Sequence, residues 1–330
     1  MIKTSLTRLF HMVLIMIAVS FCAYMLIGLM PGDPIDILVM GNPYATAEDV
    51  ARLKAAYGLD KSLIERYWAW ASNILQGNFG YSRLYATPVL DVLIPALKQS
   101  LILIGLSMLF SSILALILGT IAAVKRNSFL DRMINMFAFS GISIPSFWMA
   151  IVSIFIFAVW LGVLPAGGMP PEEASLMGNE YDVVSYYILP VLILTLGTIG
   201  HYTRYVRSAL IEVLSEHYIK TARAKGLKLH SIIIKHALPN AAIPFITVLA
   251  LDLGGLLSGA LITETVFSIN GMGKMIYDSI MANDYNLAMA GLLIATLAVL
   301  IGNLLADIAQ SLLDPRLRSG ASSNLSLEGA

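Results

Sequence analysis

The sequence has little charge for its length and a single cysteine. Only 13% of its 330 residues are charged, whereas soluble domains have about 25%. The 21 basic and 21 acidic residues cancel, so no bulk positive charge indicates nucleic-acid binding. Cys22 alone excludes an intramolecular disulfide framework and a cysteine-based metal site. We expect Cys22 to be a small buried hydrophobe, since Phe21 stands where a lipidation signal needs a small residue.

Apolar residues make up 58% of the chain and are gathered in long runs. A bilayer core of about 30 Å requires about 20 helical residues, and most of the runs reach that length. The first run is too long for a signal peptide and ends at Pro31-Gly32-Asp33-Pro34, so we interpret it as an uncleaved span. The six predicted spans are Leu9–Met30, Ser100–Val124, Met133–Leu161, Ile188–His201, Ala241–Ile262 and Leu287–Leu305. The fourth is short, and we expect it to extend back through Val183 or forward past His201.

A polar stretch, residues 31–98, separates the first two spans and predicts a small helical domain outside the membrane. Thr46 is followed by acidic residues, as is typical of a capped helix N-terminus. A second helix is predicted from Ser62 to Leu75. Its Trp68 and Trp70 fit either an interfacial aromatic belt or packing within this domain.

Basic residues predict the orientation in the membrane, because Lys and Arg concentrate in cytoplasmic segments of inner-membrane proteins. With the N-terminus inside, two thirds of all Lys and Arg residues fall in cytoplasmic segments. The loop from Pro165 to Tyr187, placed outside, has four acidic residues and no basic ones. We therefore expect both termini to be cytoplasmic.

The loop between spans four and five is long, basic and helical in pattern. Gly226 lies at its centre, where a left-handed residue ends a helix without a Cβ clash. Ser231 is the expected cap of a second helix, and Pro239 is expected to end or kink it. The pattern predicts a helix, a tight turn and a second helix leading into span five. Such a corner fits a groove on another protein, although charge alone favours a basic helix that lies on the membrane surface and anchors the topology.

Span five contains an acidic residue and a row of small residues. Asp252 is interpreted as lining a pathway, contacting another subunit, or pairing with a polar residue on a neighbouring helix. The small residues allow close helix approach, either within this chain or at a central pathway or subunit interface. They are Gly254, Gly255, Ser258 and Gly259.

The basic loop resembles the EAA loop of binding-protein-dependent ABC importer permeases, and its sequence is similar to that of the dipeptide/oligopeptide/nickel branch. That pattern is Glu-Ala-Ala, three residues, Gly, nine residues, then Ile-x-Leu-Pro. The second Ala, the Gly and the Leu-Pro match, whereas Lys220, Thr221 and His236 depart from it. Further resemblance lies in Met30–Pro34, Tyr57–Asp60, Gly77–Ser82, Ser143–Trp148, Leu164–Gly168, Glu264–Phe267 and Asp314–Arg316.

The resemblance implies an all-α, type I importer permease with six transmembrane helices and a small helical extracytoplasmic domain between helices 1 and 2. The implied divisions are residues 1–30, the N-terminal tail and first helix; 31–98, the outer domain; 99–310, a five-helix core with the coupling loop at about 204–240; and 311–330, a cytoplasmic tail. The residues implied to couple to an ATPase are Ala222, Arg223, Ala224, Lys225, Gly226, Leu238 and Pro239.

The resemblance also implies the partners and the location. The partners are a second homologous permease, two ABC ATPases and an extracytoplasmic solute-binding protein, in a bacterial or archaeal plasma membrane and without nucleic acid. ATP and Mg²⁺ would be used by the ATPases, since residues 268–275 lack the Gly and the Ser or Thr of a phosphate-binding loop. No catalytic residue, metal site or cofactor is predicted on this chain. Peptides are the expected solute, and nickel, an oligosaccharide or another small solute is the alternative. A remote alternative for the protein itself is an autonomous secondary transporter or channel.

Overall fold

The computed structural model describes residues 2–30, 46–56, 60–168, 180–256 and 260–313. Helices account for nearly all regular structure in these residues, and one short hairpin is the exception to the all-α expectation. In chain order the elements are α1 (Ile2–Gly28), α2 (Ala47–Ala56), α3 (Leu63–Leu75), β1 (Tyr81–Ser82), β2 (Thr87–Pro88), α4 (Val89–Val124), α5 (Phe129–Ser143), α6 (Ser146–Ser153, continuing as a π-helix over Ile154–Trp160), α7 (Glu180–Ser215), α8 (His217–Ala224), α9 (Leu229–Ile232, continuing as a π-helix over Ile233–Ala237), α10 (Leu238–Leu256), α11 (Leu261–Val266), α12 (Met272–Met281) and α13 (Tyr285–Leu313).

Five described helices are long and apolar enough to cross a membrane, and a bent pair makes a sixth if it is one span. The bent pair is α5 and α6, which meet at 94° where one continuous span was predicted. Pro145 disfavours helical backbone at the residue before it, and Ile144 is accordingly extended, with φ −89° and ψ 128°. The sequence pattern therefore located the apolar segment correctly and predicted it as one span interrupted at Pro145, whereas the structure bends it there.

Several spans are longer than their apolar runs. The fourth predicted span lies inside α7, which extends it in both directions, from Glu180 to Ser215. The second begins at Val89, inside the predicted outer domain, rather than at Ser100. At 1.5 Å per residue each of these 36-residue helices is about 54 Å long, well beyond the bilayer core.

The start of α2 confirms the predicted cap at Thr46, and the start of α3 has a cap at Ser62 that was not predicted. The Thr46 hydroxyl accepts a hydrogen bond from the backbone N–H of Asp49 at 3.2 Å, at the start of α2. Ser62 caps α3, and the Glu65 carboxylate accepts a bond from the Ser62 backbone N–H at 3.0 Å, which completes a capping box. Both sets of contacts lie within four residues.

The described residues group into two compact units. The first unit comprises residues 1–100, 257–261 and 270–300. One of its apolar clusters joins α1, α3 and α13 through buried Tyr24, Tyr67 and Trp70. A second joins α4, α12 and α13 around Val89, Met272 and Leu287. Trp70 thus packs inside this unit, whereas Trp68 is exposed.

The second unit comprises residues 101–256, 262–269 and 301–330. One of its clusters contains Leu103 of α4, Leu189 of α7 and Phe267, which directly follows α11. The other surrounds Tyr202 and Leu210 of α7 and extends into α8, α9 and α10. This last cluster supports the basic loop.

Some predictions are wrong or fall outside the described residues. Cys22 is exposed on α1 rather than buried, since it lies on a face of α1 that no part of the described structure covers. Several residues named in the predictions lie outside the described part of the chain. They are Pro31–Pro34, Tyr57–Leu59, Glu172, Glu173, Ser258, Gly259 and Asp314–Arg316.

Candidate docking site: the basic corner

Residues 216–240, here called the basic corner, form the predicted helix, turn and helix. In the first helix, α8, Ile219 is fully buried and Ala222 is only 8% exposed. These two side chains are three residues apart and so share one face of the helix. Lys220, Arg223 and Lys225 stay exposed. The corner therefore attaches by a narrow apolar face and leaves its cations outward.

The turn after α8 requires glycine for its backbone. Gly226 has φ +79°, in the left-handed region. Its N–H donates to the Arg223 carbonyl at 2.9 Å, and the Leu227 N–H donates to the Ala222 carbonyl at 3.3 Å. This pair of bonds is the Schellman ending of a helix. A Cβ on Gly226 would meet no atom within 4 Å, so the constraint is backbone conformation rather than space.

The second half of the corner begins immediately after this turn. Lys228 is the N-cap of α9, so the prediction that Ser231 caps this helix is wrong. The helix passes through the π-helical turn Ile233–Ala237 into α10 without ending at Pro239. Pro239 has no N–H to donate the usual hydrogen bond to the carbonyl four residues earlier. The π-helical turn, in which the hydrogen-bond spacing changes, ends two residues before it.

The corner is held by the apolar cluster of the second unit. Ile219, Ala222, Ile232 and Ala237 are its buried members from the corner. They pack in one cluster with residues of α4, α7 and α10, namely Ala115, Ala123, Tyr202, Val206, Leu210, Ala241 and Phe245. Both segments of the corner are thus fixed to the helices that lead into and out of it.

Helices α4 and α7 approach closely beneath the corner. A Cβ added to Gly119 of α4 would lie 2.8 Å from the Val206 side chain and 3.0 Å from the Thr203 carbonyl of α7. Such contacts are shorter than real Cβ atoms tolerate, so this crossing requires glycine. Small residues are the usual means of bringing helices together in lipid.

A buried ion pair fixes α7 to α5 near the same place. The Arg207 guanidinium donates two hydrogen bonds of 2.8 Å to the Asp131 carboxylate. Asp131 also accepts from the Asn127 backbone N–H and the Asn135 amide. Its side chain is only 5% exposed, so the charge is desolvated and well satisfied by these partners.

The outward face of the corner combines cations with exposed apolar side chains. Tyr218, Leu227, Leu229 and Ile234 are exposed, between 41% and 62%. Partial burial, with the Glu216 carboxylate nearby, raises the pKa of the Tyr218 phenol. A face of this composition, rigidly held from behind, suits insertion into an acidic and partly apolar groove.

The predicted coupling residues do not all share this face. Arg223, Ala224, Lys225, Gly226 and Pro239 are exposed, Leu238 is half-buried, and Ala222 is buried. Ala222 therefore acts as a packing residue of the corner. The Asp131–Arg207 pair was not predicted; its one sequence signal is Ser128 three residues before Asp131, a helix-cap spacing that does occur here at 3.3 Å.

The polar residue of span five has a partner within this chain. Asp252 is half-buried on α10 and interacts electrostatically with the buried Tyr202 of α7. Gly254 and Gly255 lie in the last turn of α10, and Ser258 and Gly259 lie outside the described residues.

Comparison with known families agrees with this geometry. Residues 115–319 match the family described as binding-protein-dependent transport system inner membrane component. Residues 1–95 match the N-terminal region of the membrane components of such systems. The two matches together span most of the sequence, and the first contains the whole basic corner.

Curated relatives cover nearly the full chain. The di/tripeptide transport system permease protein DppB of Pseudomonas aeruginosa is 36% identical over 91% of this chain and 94% of its own length. The dipeptide transport system permease protein DppB of Escherichia coli K12 is 32% identical over 96% and 99%. The glutathione transport system permease protein GsiC of Escherichia coli O1:K1 is 33% identical over the same shares.

A solved structure shares the fold. The inward-facing MetNI methionine ABC transporter contains a chain that superposes with a TM-score of 0.55 at 19% identity. The match covers 68% of this chain and 97% of that one.

Proposed function

The chain belongs to the family of inner membrane components of binding-protein-dependent transport systems, and we propose that it is a membrane-spanning subunit of an ATP-driven importer of short peptides. In this proposal it forms part of the translocation pathway and hydrolyses no ATP itself. Its partners are a second homologous permease, two ABC ATPases and an extracytoplasmic solute-binding protein.

The basic corner is the observation that carries the proposal. Its exposed cations and apolar side chains project from a corner that four buried side chains hold against the membrane helices. Such a surface transmits a push as a rigid body, because the buried core behind it is close-packed. We assign the docking of an ATPase subunit to Tyr218, Arg223, Lys225 and Leu227, and the positioning of the corner to Ala222 and Gly226.

The direction of transport follows from the orientation predicted by charge. The basic corner and both termini are cytoplasmic in this arrangement, and the segment between α1 and α4 lies outside, where a binding protein delivers solute. ATP binding closes the ATPases, and the corner carries that movement to α7 and α10. The spans then alternate between inward-open and outward-open states.

Peptides are the proposed solute because the relatives named above are permeases for dipeptides, tripeptides and glutathione. Nickel is the alternative that the sequence resemblance leaves open, and an oligosaccharide is a further one. Solute choice in this arrangement belongs largely to the binding protein, which accounts for the absence of a predicted specificity residue on this chain.

The test is uptake into proteoliposomes that contain this chain with its partner permease and ATPases. We expect import of a labelled dipeptide that requires both ATP and the binding protein. Uptake of nickel or an oligosaccharide but not of dipeptides would overturn the solute and keep the importer. Uptake that continues without ATP and without the binding protein would overturn the importer itself.

A further inference from the structure

The second half of the basic corner and α10 form one continuous helical segment with an irregular turn inside it. The segment begins at Leu229 and ends at Leu256, and the π-helical turn Ile233–Ala237 interrupts it. In this turn the Leu238 N–H donates to the Ile233 carbonyl, five residues back, whereas an α-helix bonds residues four apart. The π turn therefore holds one residue more than an α turn.

The buried side chains along this segment show where the additional residue lies. Ile232 and Ala237 are both buried and stand five positions apart across the π turn. Beyond the turn, Ala237, Ala241 and Phe245 are buried at steps of four positions. All four side chains belong to the same apolar cluster. Removal of one residue from the turn would give steps of four throughout, as on an α-helix, so the packing of this face does not require the additional residue.

The outward side of the π turn is open. Ile234 is 62% exposed, and Lys235, Pro239 and Asn240 are exposed as well. Side chains of this chain therefore hold the segment from one side only at this point. A π turn within a helix is frequent at functional sites, and here the core makes no use of the residue that the turn adds.

The helical hydrogen bonds are weakened directly after the π turn. Pro239 has no N–H, so the Lys235 carbonyl lacks the donor that an α-helix would supply. The next carbonyl, that of His236, accepts from the side-chain amide of Asn240 at 2.7 Å. Proline and π turns are two of the few causes of sharp helix bends, and here they lie two residues apart. The segment therefore bends more easily at this point than a regular helix does.

We propose that the π turn is a joint of the transport cycle, at which the angle between α10 and the part of the basic corner before the turn changes as the ATPases close. This inference rests on the function proposed above. The residues assigned to ATPase docking all precede the joint, and α10 follows it. The joint passes the displacement of the corner to α10 and leaves α10 free to tilt between the inward-open and outward-open states. Hinges of this kind are a few residues at the ends of elements that absorb the change in backbone angles.

Deletion of Ile234 tests the joint in the complete complex with the partner permease and the ATPases. Residues 232–234 are three consecutive isoleucines, so the deletion shortens the turn and leaves the buried Ile232 in place. We expect the variant to unfold at an unchanged or higher temperature and to co-purify with the ATPases. Dipeptide uptake into proteoliposomes should fall at least about tenfold, because a segment without the joint holds one of the two states almost exclusively.

Two controls separate the joint from other roles of the same residues. Ile234→Ala keeps the length of the turn and should retain nearly all uptake. Deletion of Ile246, which is also exposed, acts within a regular helix. It moves Val248 and Leu249, which pack against the apolar cluster, off the buried face and should lower the unfolding temperature.

Each contrary outcome of these variants has its own meaning. Equal destabilisation by the two deletions would show that packing requires the additional residue, and would overturn the joint. Loss of uptake in Ile234→Ala, or loss of the ATPases from the deletion variant, would assign the turn to docking instead. Uptake that survives deletion of Ile234 would overturn the joint alone, whereas an unaltered chain that imports no dipeptide would overturn the proposed function and the joint with it.

Distances between spin labels measure the bend itself, in the complete complex with Cys22 replaced by Ser. One label pair, at Lys228→Cys and Leu251→Cys, spans the joint, and both positions are exposed. A second pair, at Ala242→Cys and Leu251→Cys, lies within α10. Addition of ATP should change the first distance and leave the second unchanged. An unchanged first distance would overturn the joint, as would an equal change in the second, which would assign the bend to Pro244.

Discussion

The basic corner and the pocket lined by α3 and by the turn between α12 and α13 differ in how their residues come together. The corner is a single stretch of chain, residues 216–240, and its turn is closed by hydrogen bonds between residues three to five apart. The pocket combines Lys61, Arg66 and Trp70 with Asn283 and Asp284. Local chemistry forms the first and tertiary packing forms the second. The same contrast separates what the sequence predicted from what it did not.

The largest expected effect concerns the Asp131–Arg207 pair. It tests whether a contact between residues 76 positions apart stabilises the helices that support the basic corner. Asp131→Ala removes the two charge-assisted hydrogen bonds of the half-buried Arg207 guanidinium, which should cost about 3–4 kcal/mol of unfolding free energy at about 1.5–3 kcal/mol per bond. The exposed pair of Arg52 and Glu48 has a similar N–O distance, 2.7 Å, at 74% exposure of both side chains. Arg52→Ala should cost less than about 1 kcal/mol. Thermal unfolding of the purified chain measures both, and similar losses would contradict the role given to burial.

The second effect tests the tertiary region. Asp284→Ala removes the acceptor of three hydrogen bonds and leaves buried Ser82 without its partner, which should cost about 3 kcal/mol. Asp278→Ala is the control, since its 3.7 Å contact with Lys274 is partly exposed. Limited proteolysis at Arg83, beside the hairpin, gives a local readout. Unchanged cleavage in Asp284→Ala would mean that this carboxylate does not hold the hairpin.

Substitutions at Gly226 test the local region with a graded series. A left-handed φ costs a non-glycine residue about 1–2 kcal/mol, and Asn tolerates it best. Pro fixes φ near −65° and removes the N–H that bonds to Arg223. We expect peptide uptake to fall in the order Gly226→Asn, Gly226→Ala, Gly226→Pro, with Gly226→Pro inserted in the membrane but uncoupled. Normal uptake and solute-stimulated ATPase activity in Gly226→Pro would contradict the coupling role.

The smallest effect concerns the capping box of α3. Ser62→Ala should cost about 1 kcal/mol of stability, measured by thermal unfolding. Hydrogen bonds from Ser62 hold the pKa of Glu65 below its ordinary value, so this contribution is complete at neutral pH and is lost as the pH falls below about 4.3. The difference between Ser62→Ala and the unaltered chain should shrink on acidification. A difference that grows at low pH would contradict this sign.

The sequence predicted features whose causes lie within a few residues. The cap at Thr46 and the turn at Gly226 each depend on contacts between near neighbours. The apolar runs likewise located the membrane helices, since lipid selects for composition over a length of about 20 residues. The Ser231 cap failed because the helix restarts at Leu229, directly after the Schellman turn.

Features with distant causes were not predictable in this way. Nothing near Asp131 in the chain indicates Arg207, which is 76 residues away. The exposure of Cys22 depends on which face of α1 is covered by packing, and an apolar run on its own does not contain that information. The buried Ala222 was assigned to the docking surface because motif spacing does not reveal which side of α8 faces the core.

Co-purification of the ATPase subunits with this chain tests the central claim most directly, and one pair of matched variants sharpens it. Arg223→Glu with Lys225→Glu reverses two exposed charges of the corner. Arg52→Glu with Lys54→Glu reverses two charges at the same spacing on α2, in the other unit. We predict that ATPases co-purify with the unaltered chain and the α2 variant and are lost from the corner variant. Equal recovery with both variants would contradict docking at the basic corner.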